Sequence, residues 1–147
     1  MAHARTIIRD AVTSLLKANV ILVPQSQIYQ SNIYNWSEDV NSAINVKLNQ
    51  EELLNREFGT QEMRAIDIEI DVYTQSTSNV DSKLDAICEE IENALGADPS
   101  LGINALDSHF VSYSAEYDSD LDQPLAMATL NWRIAYNLDA SNVSELI

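Results

Sequence analysis

Within the stretch Arg64–Tyr73, apolar and polar residues alternate strictly from Ile66 to Val72. Successive side chains of a β-strand point to opposite faces, so this segment is predicted to be a strand with one apolar face. The apolar positions are Ile66, Ile68, Ile70 and Val72, and the other face carries Asp67, Glu69, Asp71 and Tyr73. Three carboxylates in a row repel one another. This face must therefore point into water, onto a basic strand, or into a cavity in which negative charge is useful.

Two amphipathic helices are predicted, because apolar residues recur every three or four positions in two parts of the chain. The first helix covers residues 4–18. The second is predicted from Ser78 to Leu95, since a serine followed three residues later by an acid is typical of a capping box and Gly96 suits a helix end. The polar face of the second helix is interpreted as solvated surface, and it carries Asp85, Glu89, Glu90 and Glu92.

Three further strands are predicted from alternation between turn-rich segments. They are Asn41–Gln50, Ser108–Tyr117 and Ala126–Leu138. The polar segment Glu51–Gln61 is predicted to be a loop. In the strand Ser108–Tyr117, one face is predicted to carry His109, Val111, Tyr113, Ala115 and Tyr117.

The order of these elements predicts an α+β fold. Neighbouring strands joined by short connections favour antiparallel pairing, so the fold is expected to be a two-layer sandwich with a mainly antiparallel sheet and two helices packed on one face. The whole chain, residues 1–147, is expected to form a single domain. A polar extended arm or hairpin is predicted near residues 24–39, and a flexible C-terminal tail is predicted after residue 138.

The chain is strongly acidic, with 23 acidic residues, 8 basic residues and a formal net charge of −15. A protein that grips nucleic acid needs a basic patch, and the bases are scattered here, so specific or tight DNA binding is not expected. The acid surplus is compatible with DNA sliding past without binding, and also with solubility alone. Because no apolar run approaches the roughly 18–20 residues of a membrane helix and no signal-peptide pattern is present, a non-membrane protein of a cytosol-like compartment is expected.

No residue pattern indicates catalysis. The single cysteine, Cys88, lies among apolar positions and is predicted to be a buried, inert thiol. His3 and His109 are far apart and lie next to no catalytic motif. The three glycines do not form a phosphate-binding loop. We therefore expect no catalytic residue, no cofactor and no metal site.

Six short segments and one single residue, together with the order of the predicted elements, carry a resemblance to a known family. They are Arg5–Val12, Arg64–Tyr73, Leu84–Ile87, Ile91–Leu95, Asp98–Gly102, Glu116 and Leu130–Tyr136. This set resembles the tail terminator proteins of tailed phages, also called tail completion or head–tail joining proteins. That family includes the minor tail protein U of lambda-like phages. The resemblance spans most of the chain and rests on weak consensus rather than on a catalytic signature.

The resemblance implies a structural virion protein that forms a ring, usually of six subunits. Such a ring caps the completed tail tube, terminates its polymerisation and joins the tail to the neck and head, while DNA passes through the lumen without specific binding. The implied partners are further copies of this chain, the tail tube protein, and neck, connector or sheath proteins. The implied location is the virion, after assembly in the host bacterial cytoplasm.

A ring subunit needs complementary contact surfaces on opposite sides and a wall that faces the lumen. The candidates for the lumen wall or a subunit interface are Asp67, Glu69 and Asp71. The candidates for contacts with other subunits or partners are Ile28, Tyr29, Tyr34, Trp36, Arg56 and Phe58. Two alternatives remain open at this point: a neck or sheath-end connector of the same virion, and a small acidic ligand-binding module with an apolar pocket.

Overall fold

The computed structural model describes residues 2–30, 41–56, 59–118 and 124–147. These residues form two α-helices, one short 3₁₀ helix and six strands. The elements are α1 (Ala4–Asn19), the 3₁₀ helix (Gln25–Gln27), β1 (Ile28–Gln30), β2 (Ser42–Arg56), β3 (Gln61–Gln75), α2 (Val80–Gly96), β4 (Asp107–Asp118), β5 (Leu125–Asp139) and β6 (Asn142–Leu146).

The six described strands form one sheet with the order β1-β2-β3-β5-β4, and β6 pairs with the end of β5. All pairs are antiparallel except β1 and β2, which are parallel. Both helices contribute their apolar faces to a single buried cluster with the sheet. The α+β sandwich predicted from the order of elements is therefore confirmed.

The apolar face of β3 lies at the centre of this core. Ile66, Ile68 and Ile70 have no exposed surface, and on the neighbouring strand β5 every second residue is buried. Because β3 pairs with β5 over its whole length, the two rows of apolar side chains lie side by side beneath the helices. The predicted inward direction of the isoleucine row is confirmed.

The predicted loop Glu51–Gln61 is wrong for its first half, because β2 continues to Arg56. Residues up to Arg56 stay paired with β3, and the register shifts once at Asn49 and once at Leu54. These bulges let a polar sequence without alternation follow a straight partner strand, since each inserts an extra residue without ending the pairing.

The predicted capping box at the start of α2 is also wrong. The N-cap is Asn79 in a left-handed conformation, with φ of 55°, and no side chain caps the helix there. Ser78 instead belongs to the preceding turn, where its carbonyl oxygen accepts a hydrogen bond from the Ser76 hydroxyl.

The C-terminal segment is not a flexible tail, which corrects the prediction made for residues after 138. The chain turns after Asp139, and β6 pairs back onto β5 with Leu146 opposite Leu138. The turn is held by Ser141, whose backbone N–H and hydroxyl both donate to Asp139 Oδ1, at 2.9 and 2.7 Å. Leu146 is partly buried against the core, so apolar burial and strand pairing both order this segment.

Strand β4 contains a bulge that changes which residues share a face. His109 lies opposite Arg133, whereas Tyr113 lies opposite the buried Leu130. The register shift beside Val111 reverses the alternation, because one extra residue on a strand moves the following side chains to the other face. The prediction that His109 and Tyr113 share a face is therefore wrong: Tyr113 faces the helices and His109 faces away from them.

The arm predicted near residues 24–39 is described only in its first part. Gln25–Gln27 form the 3₁₀ helix, and Ile28–Gln30 form β1. Residues 31–40 lie outside the described part of the chain.

Candidate interaction surfaces

The acidic row of β3 lies on the sheet face opposite the helices, between β2 and β5. Asp67 accepts two hydrogen bonds from the Arg133 guanidinium of β5, at 2.8 and 3.1 Å, and one from the Gln50 side chain of β2 at 3.0 Å. The Arg133 side chain in turn contacts Glu52 at 3.1 Å. Strands β2 and β5 therefore both contribute partners to the first carboxylate of the row.

A single lysine bridges the other two carboxylates. Lys47 Nζ lies 2.8 Å from Glu69 and 3.3 Å from Asp71. The Thr129 hydroxyl donates to Asp71 at 3.0 Å, and only 6% of Asp71 is exposed. The sequence leaves three environments open for this face of β3: water, a basic strand or a cavity. In the structure, the acidic row lies between basic and polar side chains of its own sheet.

The pKa values of the row differ in direction from one end to the other. Hydrogen bonding from Arg133 holds the pKa of Asp67 below its ordinary value, because it stabilises the ionised carboxylate. Burial, followed by repulsion from Glu69, raises the pKa of Asp71, although Lys47 and Thr129 oppose this shift. One end of the row thus stabilises the folded protein as a charged group, while the other end carries a charge that the fold disfavours.

A second polar cluster joins the start of α1 to the sheet. Glu51 accepts a hydrogen bond from Tyr136, whose side chain is fully buried, and forms an ion pair with Arg5 at 2.9 Å. Arg64 lies 3.7 Å from Glu51 and 2.7 Å from Glu62. Glu51 is therefore a structural hub, and its assignment to a loop hid this role in the sequence.

A third feature is a groove between α2 and the edge strand β4, with a volume of about 460 Å³. We call it the α2–β4 groove. Its acidic wall consists of Asp85, Glu89 and Glu92, which are exposed and make no ion pair with any other described residue. Cys88 and Tyr113 form a less polar floor. Burial, followed by the charges of Glu92 and Asp85, raises the pKa of Cys88 to about 12, so the thiol stays protonated and unreactive at neutral pH.

The edge strand beside this groove exposes large apolar side chains. Val111, Tyr113 and Tyr117 are 48, 42 and 54% exposed. A long strand with a free edge and exposed apolar residues is a template for association with another chain.

The described residues contain no group of three or more His, Cys, Asp or Glu side chains arranged to hold a metal ion. Within the same ranges, neither helix has the length and apolar character needed to cross a membrane.

Comparison with known families decides what class of protein this is. The family model described as phage minor tail protein U matches residues 3–136. The chain belongs to the phage minor tail protein U family. It is therefore a structural protein of the phage tail, and its place is in the virion.

The family match covers α1 to near the end of β5, so most of the core, the acidic row and the α2–β4 groove lie within it. A chain in the virion of a native gene transfer agent particle has a similar fold, with a TM-score of 0.61 and 18% sequence identity. The similarity covers 87% of this chain and 92% of that chain. No curated protein matches the sequence.

The residues predicted to contact other subunits or partners differ in their exposure in the structure. Ile28 is only 3% exposed and packs in the core, because β1 pairs with Ile44 beneath α1, so its prediction as a partner contact is wrong. Tyr29 is partly exposed, and Arg56 is exposed at the end of β2. The remaining candidates lie outside the described residues: Tyr34, Trp36 and Phe58.

Sequence reasoning missed the α2–β4 groove of this tail protein. The sequence pattern predicts solvated surface for the acids of α2, and Asp85, Glu89 and Glu92 are exposed. Their alignment beside Tyr113 depends on which strand lies under α2, and on the bulge that turns Tyr113 towards the helix. The available signal was the excess of aromatic residues on a strand at the edge of the sheet.

Proposed function

We propose that this protein is a tail terminator: a ring, usually of six subunits, that caps the tail tube, ends its polymerisation and joins the tail to the neck. The observation that carries the proposal is the match to the minor tail protein U family over residues 3–136. The mechanism is surface complementarity between rings, and no chemical step is needed. Terminating a polymer requires one face that matches the last tube ring and a second face that does not accept another.

The two edges of the sheet support assembly into a closed ring. Among the described residues, one edge consists of β1 and the half of β2 that extends beyond it, and the other consists of β4 and β6. Because the two edges differ in sequence and shape, a contact between them is heterologous, and repeated heterologous contacts close a ring when the rotation between subunits permits it.

The acidic sheet face suits the wall of a DNA channel. Asp67, Glu69 and Asp71, with Glu52, provide four carboxylates against the two cations Lys47 and Arg133. A surplus of negative charge repels phosphate, while the internal ion pairs keep the two cations from binding it. We propose that this face lines the lumen, so that DNA passes without being held.

Family membership favours the two hypotheses of a structural virion protein over the hypothesis of a small ligand-binding module. A neck or sheath-end connector of the same virion remains the alternative within this class. The two differ in partner: a terminator binds the tail tube protein, and a connector binds neck or sheath proteins.

The ring is tested by native mass spectrometry and negative-stain microscopy of the purified protein at tens of micromolar, with and without tube protein. We expect a closed ring of about six chains with an open centre, because heterologous contacts saturate only on closure. A protein that stays monomeric in both conditions would contradict the proposal.

A further inference from the structure

The end of β2 is, like the α2–β4 groove, an exposed surface suited to contact with another chain. Leu53 and Leu54 are 54 and 46% exposed although they lie in a paired strand. Arg56, the last residue of β2, is exposed and makes no ion pair with another described residue. Other cations of the chain are held in ion pairs: Arg5, Lys47, Arg64 and Arg133. We call Leu53–Arg56 the β2 end.

The β2 end and the α2–β4 groove have complementary chemistry. The groove offers an acidic wall of three exposed carboxylates over a floor of Cys88 and Tyr113. The β2 end offers two exposed leucines followed by an exposed arginine. Apolar side chains lose water on the floor, and an arginine beside several carboxylates forms charge-assisted hydrogen bonds.

The positions of the two features fit a contact between different copies of the chain. The β2 end lies on one edge of the sheet, and the groove lies on the opposite edge, with β3 and β5 between them. They cannot meet within one molecule across the width of the sheet. A second copy can place its β2 end in the groove of the first copy. The groove of the second copy is then free to receive the β2 end of a third copy.

We propose that the β2 end of one subunit docks into the α2–β4 groove of the next, with Leu53 and Leu54 on the groove floor and Arg56 against Glu89 and its neighbouring acids. The inference rests on the proposed ring and specifies the contact that closes it. Because the contact joins two different surfaces, every subunit uses both of them, and a closed ring leaves neither exposed.

Another cation competes for the same role on charge alone. Lys17 is exposed near the end of α1, close to the exposed Ile21 and Leu22. This region is tied to α2 of its own chain, because the backbone N–H groups of Ile21 and Leu22 donate to the Glu90 carboxylate at 3.2 and 3.0 Å. It therefore lies in the helix layer, not on the free edge opposite β4, and we assign the contact to the β2 end.

Charge reversal tests the assignment. The variants are Arg56→Glu, Glu89→Arg, the double variant that carries both changes, and Lys17→Glu as a control with the same change of charge at another exposed cation. Arg56, Glu89 and Lys17 are all exposed, so each variant is expected to fold, which circular dichroism and urea unfolding verify. Self-association is measured by sedimentation velocity and native mass spectrometry over a concentration series.

Each single reversal at the contact is expected to weaken assembly about tenfold or more, because a like-charge pair replaces an attractive one. The double variant is expected to recover most of the assembly, and Lys17→Glu is expected to assemble like the wild type. Normal rings from Arg56→Glu, a double variant no better than either single variant, or loss of rings in Lys17→Glu alone would overturn the docking while leaving the ring intact. A wild-type protein that forms no ring either alone or with tube protein would overturn the proposed function and this contact together.

Discussion

Replacing Ile68 with alanine will lower the free energy of unfolding by about 3–4 kcal/mol, the middle of the range of about 2–5 kcal/mol measured when a large aliphatic side chain is truncated to alanine in a core. Ile68 has no exposed surface, and it lies between Leu48 of β2 and Trp132 of β5 at the centre of the sheet. The neighbours belong to paired strands and can move little to fill the cavity. Urea unfolding of dilute, monomeric protein measures the change, with the slope compared between variants.

The matched control is Ile21→Ala. Ile21 is the same residue type but is 84% exposed, so its truncation removes little buried surface. We expect a change within about 0.5 kcal/mol. Equal losses at the two positions would contradict the inward direction of the isoleucine row and the register of β3 with it.

The second prediction concerns opposite effects within the acidic row. Asp67→Asn is expected to lower the free energy of unfolding at pH 7 by about 1–2 kcal/mol, because it weakens charge-assisted hydrogen bonds from Arg133. Asp71→Asn is expected to raise it by roughly 1 kcal/mol, because the amide keeps an acceptor for Thr129 while removing a buried charge beside Glu69. Both substitutions preserve side-chain shape, so each serves as the steric control for the other.

The pH dependence follows from the direction of each pKa shift. The pKa of Asp67 is lowered in the folded protein, so its stabilising contribution is present above the ordinary pKa of about 3.9 and is lost as the pH falls through the folded value. The pKa of Asp71 is raised, so its destabilising contribution is absent below the ordinary pKa of about 3.9, grows as the pH rises from there to the folded value, and is fully present above the folded value.

The two variants should therefore differ most from the wild type near pH 7, in opposite directions, and approach it as the pH falls below about 4. Urea unfolding at a series of pH values from acid to neutral measures both differences. If Asp71→Asn loses as much stability at pH 7 as Asp67→Asn, the interpretation of Asp71 as a disfavoured buried charge is wrong.

The parts of the fold predicted correctly are those in which local pattern and tertiary burial agree. Strict alternation identified β3 and its inward face, since the isoleucines have only one face that can be buried. Helical periodicity identified α1 and α2 for the same reason. Both patterns are visible in the sequence because each element must bury one apolar face in the core, whichever elements lie next to it.

The parts that were missed depend on neighbours that a linear sequence does not reveal. Residues 51–56 lack alternation, and they form a strand because β3 supplies hydrogen-bonding partners. The segment after Asp139 is ordered by pairing with β5, not by its own composition. A single bulge at Val111 separates His109 from Tyr113, which the alternation predicts on one face.

The acidic row shows the same limit at the candidate site. The sequence indicates three carboxylates on one face, and that much is correct. Lys47 and Arg133, which partly neutralise them, lie on strands far away in the chain, and only the strand order brings them alongside. Charge counting along the chain therefore identified the surface but not its internal pairing.

The central claim is that this protein ends the growth of a tail tube, and imaging of tubes assembled in its presence tests this most directly. Purified tube protein is polymerised with increasing amounts of the gold-labelled protein, and tube lengths and label positions are recorded by electron microscopy. The account predicts label confined to tube ends and tubes that shorten as the amount of the protein rises. Tubes of unchanged length, with label absent or scattered along their walls, would contradict it.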